Sequence, residues 1–290
     1  MRLPPLAISR TGPRPGARAD RSAFTLVELL VVIGIVGILA SLLLPALSRA
    51  QSKAQGVACL NQLRQLALAN LLYADDFHGR LPYNYGAADT KKTIQSGGFL
   101  NWANNVMSWE LDEDNTNRVW LAQGGLGPYV SGNADVFRCP ADRALSTLQR
   151  ATGWTRRTRS YSMNAMVGDA GEYSEEGYNE NNPHYTQFFK ESEVPMPARI
   201  FVLIEEHPDS INDGYFLNIL YRREWFDLPA SWHNSAANLT FADGHAETHR
   251  WVSSTTTPPG RQDTALLPLV VKGDAAADFD WLMERTTTRR

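Results

Sequence analysis

Between Phe24 and Leu44 the sequence contains one ionisable residue, Glu28, in an otherwise almost wholly apolar run. About 20 apolar residues at ~1.5 Å rise cover a hydrocarbon layer of roughly 30 Å, so the stretch Ala23–Leu47 reads as a transmembrane helix. Whatever else the chain folds into must accommodate this segment. A carboxylate five residues into such a helix is expensive, ~2.5–3.5 kcal/mol on insertion scales if it sits near the centre, so Glu28 requires compensation. A secretory signal has a shorter apolar region, ~7–15 residues, with no acid inside it. An ordinary membrane anchor fits the length and leaves Glu28 unexplained.

Cleavage between Ala23 and Phe24 would supply the missing partner. Phe24 would then carry a new α-ammonium at the bilayer edge, and Glu28 of a neighbouring copy could pair with it. A small residue followed by Phe24-Thr25-Leu26-Val27-Glu28-Leu29-Leu30 resembles the cleavage and methylation signature of type IV prepilins and type II secretion pseudopilins. The resemblance implies a prepilin peptidase that cuts before Phe24 and methylates its amine, with Glu28 aligning subunits during assembly. Ala23 departs from the glycine usual before the cut and is small enough to preserve the site.

The formal charge of −3 is unevenly distributed. Residues 1–23 carry five arginines against Asp20, a net of +4, which leaves −7 for residues 24–290. Basic flanks stay in the cytoplasm, so the leader is expected inside and the remainder outside, a single pass through the cytoplasmic (inner) membrane with a periplasmic or extracellular head. Arg49 and Lys53 on the far flank weaken that asymmetry without reversing it. An acidic exported domain is a poor partner for nucleic acid, which needs a basic face. Two cysteines, Cys59 and Cys139, are the minimum for one bridge in an exported compartment; spacing alone leaves open a disulfide or two small buried apolar residues.

The leader, with four prolines and five arginines, shows no helical or strand period. Beyond Pro45, where a kink is expected, the segment to Asp75 is rich in good helix formers. Val57, Leu60, Leu63, Ala67 and Leu71 recur at three or four residues as an amphipathic stripe, opposite Gln62, Arg64 and Gln65. The expected organisation is a cleaved leader (1–23), an assembly helix (24–47), its amphipathic continuation (48–76) and an exported head (77–290). Residues 79–135 read as irregular loop with short strands, Val136–Asp142 as a strand entering a turn, and Glu172–Asn182 as a polar surface loop. Ile200–Ile204 is the best buried strand, and Asp274 is placed to cap a short C-terminal helix.

Asn238–Ala242 and His245–His249 flank Asp243-Gly244, a two-residue hairpin signal of the type I′ kind. In that register Ala242 opposes His245, Thr240 opposes Glu247 and Asn238 opposes His249, giving a polar face and a core face with Leu239, Phe241 and Ala246. Nine residues separate His233 from Asp243-Gly244. With ANLTFADGH, CLNQLRQ and RCPAD, this spacing resembles the "H-X9-DG" element of prepilin-like proteins from planctomycete and verrucomicrobial bacteria. The resemblance implies an α+β fold, a long N-terminal transmembrane-plus-amphipathic helix packed on a small antiparallel β-sheet head with long loops. It assigns no role to His233, Asp243 or Gly244.

Catalytic signatures are absent: there is no GxSxG elbow, Walker loop, dinucleotide fingerprint or HExxH helix. His245, Glu247 and His249 fall on one strand face, a set that can bind Zn²⁺, although alternate residues on a solvated face are polar by default. Asp112 and Asp114 in the acid run Glu110–Asn115 offer oxygen ligands for Ca²⁺ but lack the glycine turn and closing glutamate of an EF-hand loop. The expectation is therefore a non-enzymatic filament subunit without a cofactor. Its partners are prepilin peptidase, other pilin or pseudopilin subunits and the inner membrane. The alternative is a membrane-tethered ligand- or metal-binding protein, or a hydrolase, with the polar hairpin face as its site.

Overall fold

A 51-residue helix, α1 (Leu26–Asp76), is the longest element in the computed structural model, which describes residues 25–175, 177–262 and 267–290. The leader, Ala23 and Phe24 lie outside the described residues. Pro45 sits inside α1 without ending it. The chain divides into two units at Ser48/Arg49. In the first unit the large apolar side chains of α1 are exposed throughout, from Leu26 to Leu47.

In the second unit α1 buries Cys59, Leu63, Leu66, Asn70 and Tyr73, a stripe in alternating steps of four and three, together with Ala67, Ala69 and Ala74. This face is rotated from the expected one. Val57 is 53 % exposed, and Leu60 and Leu71 are only half-buried. Leu63 and Leu66 lie at the centre of the buried stripe, while Leu60 and Leu71 flank it. Gln62, expected on the solvent side, donates to the Asp135 carbonyl at 3.2 Å and accepts from the Tyr161 hydroxyl at 3.0 Å.

The principal sheet has five strands, β1 (Tyr161–Asn164), β2 (Phe201–Glu205), β3 (Tyr215–Phe216), β4 (Ala236–Phe241) and β5 (Ala246–Arg250), in the order β3-β1-β2-β4-β5. Its pairings are antiparallel except β1 with β3, which is parallel. β2 is buried at every position, as a continuous apolar run requires, and a bulge lies between Phe201 and Leu203 where it meets β4. Two large buried clusters serve the sheet, and a small third one forms around Tyr215 of β3. The first joins Cys59, Leu63, Leu66 and Tyr73 of α1 to Tyr161, Met163 and Val202. The second joins Phe201, Ile204, Leu239 and Phe241 to Phe279 and Leu282 of the C-terminal helix Ala275–Met283. Asp274 is the N-cap of that helix without a side-chain capping bond; its carboxylate instead accepts from Ser253 Oγ at 2.9 Å.

The remaining head departs from the expected short strands. Residues 79–135 contain helices at Ala87–Gln95 and Arg118–Gln123 with 3-10 turns. Ala134–Phe137 is also a 3-10 turn, where a strand was expected. Within Glu172–Asn182 a two-stranded ribbon forms and Asn179 and Asn182 are buried. Fully buried asparagines hold this irregular backbone. The Asn84 amide donates to the Asn164 and Val167 carbonyls at 2.9 and 3.2 Å, and Asn101 Oδ1 accepts from Tyr85 and Trp102 N–H at 3.0 Å each. Each amide stands in for backbone partners that a regular ladder would provide.

Candidate functional site

α1 opens with a reciprocal cap. Thr25 Oγ1 accepts from the Glu28 N–H at 3.2 Å, while Glu28 Oε2 accepts from the Thr25 N–H at 2.9 Å and from its hydroxyl at 2.7 Å. Thr-x-x-Glu is the capping-box pattern, in which two orphan donors at a helix start are satisfied together. Glu28 therefore has a local partner within its own chain.

In the head, His233 is the centre of a buried cluster. Positive φ angles at Asn234 and Ser235 turn the chain from His233 into β4. His233 Nε2 then lies 3.1 Å from Glu205 Oε1 and 3.5 Å from Cys139 Sγ. Glu205, the last residue of β2, is 0 % exposed. Its Oε2 accepts from the Asn238 N–H at 2.8 Å and its Oε1 from the Asn238 amide at 3.2 Å. Cys139 is bonded to Cys59 of α1 across 80 residues. The sulfurs, the imidazole and the carboxylate all lie within 4.8 Å of one another, the one such convergence of metal-ligating side chains among the described residues.

The other end of the His-to-Gly spacing also meets α1. Gly244 has φ +89°, and a Cβ there would stand 2.8 Å from Leu71 Cδ1. At the first end, a Cβ on Gly56 would stand 3.3 Å from His233 Nδ1, and the Asn238 amide donates to the Gly56 carbonyl at 3.3 Å. β4 is thus held along about four turns of α1, pinned at Gly56 by His233 and Asn238 and at Leu71 by Gly244.

The hairpin register differs from the two-residue reading by one position. Gly244 N–H donates to the Phe241 carbonyl and Phe241 N–H to the His245 carbonyl, so Ala242-Asp243-Gly244 is a three-residue loop with Gly244 left-handed. Leu239 opposes Glu247, Ala237 opposes His249 and Asn238 opposes Thr248. One step of slip exchanges the faces. His245, Glu247 and His249 consequently share the face of Phe241, Leu239 and Ala237, not that of Asn238 and Thr240. His245 stacks on Phe241 at 4.3 Å between ring centroids, and His249 stacks on Trp281 at 3.4 Å. Burial lowers the His249 pKa to about 4. Asp243 accepts from the His245 ring at 2.6 Å, and that bond holds its carboxyl below the usual range despite partial burial. Asp112 and Asp114 serve their own loop, accepting from Ser108 Oγ at 2.5 Å and from the Val106 N–H at 2.6 Å.

A cavity of about 540 Å³ is lined by Trp109, Arg157, Tyr173, Asp213, Tyr215 and Asp227, among others. Behind it the fully buried Arg159 guanidinium bonds Asn105 Oδ1, the Tyr161 and Asn212 carbonyls and Ser162 Oγ. Burial raises Asp213 to about 6 and the neighbouring Glu206 to about 7, against hydrogen bonds and the Arg159 charge. Glu206, with His207 and Asp209, reads in sequence as a rigid acidic turn first and a cation site second, and nothing in the local pattern ties Glu205 to His233. The available signal was the direct continuation of Glu205-Glu206 from the wholly apolar run Ile200–Ile204, where successive side chains enter opposite sides of a buried sheet.

Residues 18–44 match the family model described as the prokaryotic N-terminal methylation motif. That match spans the positions of Ala23, Phe24 and Glu28. No curated protein and no solved structure matches the chain.

Proposed function

We propose that the chain is a structural subunit of a type II secretion pseudopilus or type IV pilus-like filament. The observation that carries this reading is the methylation-motif match over residues 18–44, overlapping a helix whose large side chains from Leu26 to Leu47 are exposed among the described residues. In this reading prepilin peptidase cuts between Ala23 and Phe24 and methylates the new amine. The exposed apolar surface is covered first by lipid and then by the same segment of neighbouring copies, an exchange between two apolar surroundings in which close packing and polar pairing select the arrangement. Glu28 turns from its own cap toward the Phe24 ammonium of a neighbour. The leader stays in the cytoplasm and the head is exported. A tethered ligand-binding protein is the second reading, favoured by the 540 Å³ cavity, which falls in the size range of small-molecule sites.

The test is the mass of the N-terminal peptide of the membrane-extracted protein. A peptide beginning at Phe24 with one added methyl is expected. A peptide beginning upstream of Phe24 defines an uncut anchor and removes the assembly mechanism.

A further inference from the structure

We propose that the disulfide cluster, once reduced, is a zinc site. Cys59 and Cys139 supply two thiolates, His233 its Nε2 and Glu205 its Oε1. The four donors already lie within 4.8 Å of one another and all four residues are buried. Two sulfurs, one imidazole nitrogen and one carboxylate oxygen form a donor set suited to tetrahedral Zn²⁺, with ligand distances of ~2.0–2.3 Å.

The surroundings are built as a ligand shell. Cys139 Sγ accepts the Ala141 N–H at 3.4 Å, in the turn closed by the Asp142 N–H on the Cys139 carbonyl. The Asn238 backbone and amide fix the Glu205 carboxylate. Such hydrogen bonds orient ligands before a metal arrives. His233 Nδ1 is buried without a hydrogen-bond partner among the described residues, and Nε2 is the ring nitrogen that faces the sulfur and the carboxylate.

The chemistry balances with a dithiol reductant. It delivers two electrons and two protons to the Cys59–Cys139 bond, giving two protein thiols and its own disulfide; Zn²⁺ then displaces both thiol protons to solvent. Oxidation by a disulfide of the same class reverses the step, re-forms the bridge and releases the metal. The cluster alternates between a covalent staple and a metal staple at one place on α1.

The experiment is zinc uptake by the full chain in detergent, oxidised or treated with a dithiol and desalted without oxygen, read by elemental analysis and competition with a chromophoric chelator. About one Zn²⁺ per reduced chain and essentially none per oxidised chain is expected. Co²⁺ in place of zinc should give thiolate charge-transfer and tetrahedral d–d bands. His233→Ala and Glu205→Gln should each weaken zinc at least tenfold, while His249→Ala leaves uptake unchanged. Absence of uptake by the reduced chain overturns the proposal, whether the head stays folded by near-ultraviolet circular dichroism or not. Equal uptake in both redox states overturns it, as does uptake indifferent to Glu205→Gln.

Discussion

The two halves of α1 are one continuous helix written for two different surroundings. From Leu26 to Leu47 its large side chains are apolar on every face and uncovered, with Leu42 69 % exposed. From Arg49 to Asp76 the apolar residues narrow to a stripe, and Leu63 is 0 % exposed. A helix apolar all round needs an apolar solvent or copies of itself, whereas a one-sided helix needs a folded partner. The first half therefore stores its stabilisation for another molecule, and the second spends its own on the head.

The largest effect should come from the covalent tie that only the second half possesses. Replacing both cysteines by alanine releases a bridge across 80 residues, which the chain-entropy account values at about 4.5 kcal/mol. The head of the double variant should unfold at markedly lower denaturant in detergent extracts. A midpoint unchanged from wild type would mean that packing on α1 alone holds the helix.

Leu63→Ala against Leu42→Ala tests the same contrast without chemistry. A buried leucine truncated in a core costs roughly 2–5 kcal/mol, while an uncovered one changes head stability by less than about 0.5 kcal/mol. Equal shifts in the thermal midpoint would erase the distinction between the halves.

The next effect is a pH response confined to the head. Glu206 at about 7 and Asp213 at about 6 are both raised by burial above ordinary carboxylates. Between roughly pH 4 and 7 the folded head then binds more protons than the unfolded chain, so their contribution favours the fold below pH 4 and is lost as pH rises through the folded pKa values. Glu206→Gln should make the slope of unfolding free energy against pH less negative in this window, by a total on the order of 1–3 kcal/mol. An identical slope in the variant would show that Glu206 does not retain its proton on folding.

The contrast also explains what sequence reading reached. The apolar span, the strand Phe201–Glu205 and a turn at Asp243-Gly244 were legible because each rests on a local pattern. The hairpin register was not, since Asp-Gly serves both a two-residue loop and the observed three-residue loop, and the difference shows only in the backbone pairing of β4 with β5. The observed stripe on α1 runs through Cys59 and Asn70, positions that a pattern of bulky apolar residues such as Val57 does not include. Buried Asn84 and Asn101 were unreadable for a related reason: an asparagine in an aperiodic segment is ordinarily solvated, and its use as a backbone surrogate is visible only with its partners. Of the candidate sites, the His233 spacing is visible in the sequence, whereas Glu205 and Asn238 join it only through the pairing of β2 with β4.

The smallest energetic effect separates two explanations of Glu28. As an acid in an apolar run it demands a partner, and the neighbour's Phe24 ammonium is the one proposed for the filament. The cap with Thr25 shows that a partner already exists inside the chain. Glutamine also serves at this position of a capping box, so Glu28→Gln keeps the cap and removes the charge. Thr25→Ala keeps the charge and removes the hydroxyl, at about 1 kcal/mol in the first turn. If pairing between copies uses the charge, Glu28→Gln should abolish filament recovery with unchanged amide exchange from Leu26 to Leu30. Thr25→Ala should speed that exchange about fivefold and leave filaments intact. Filaments lost equally in both variants would make the cap itself the reason for Glu28, and the two halves of α1 would then differ only in what covers their apolar side chains.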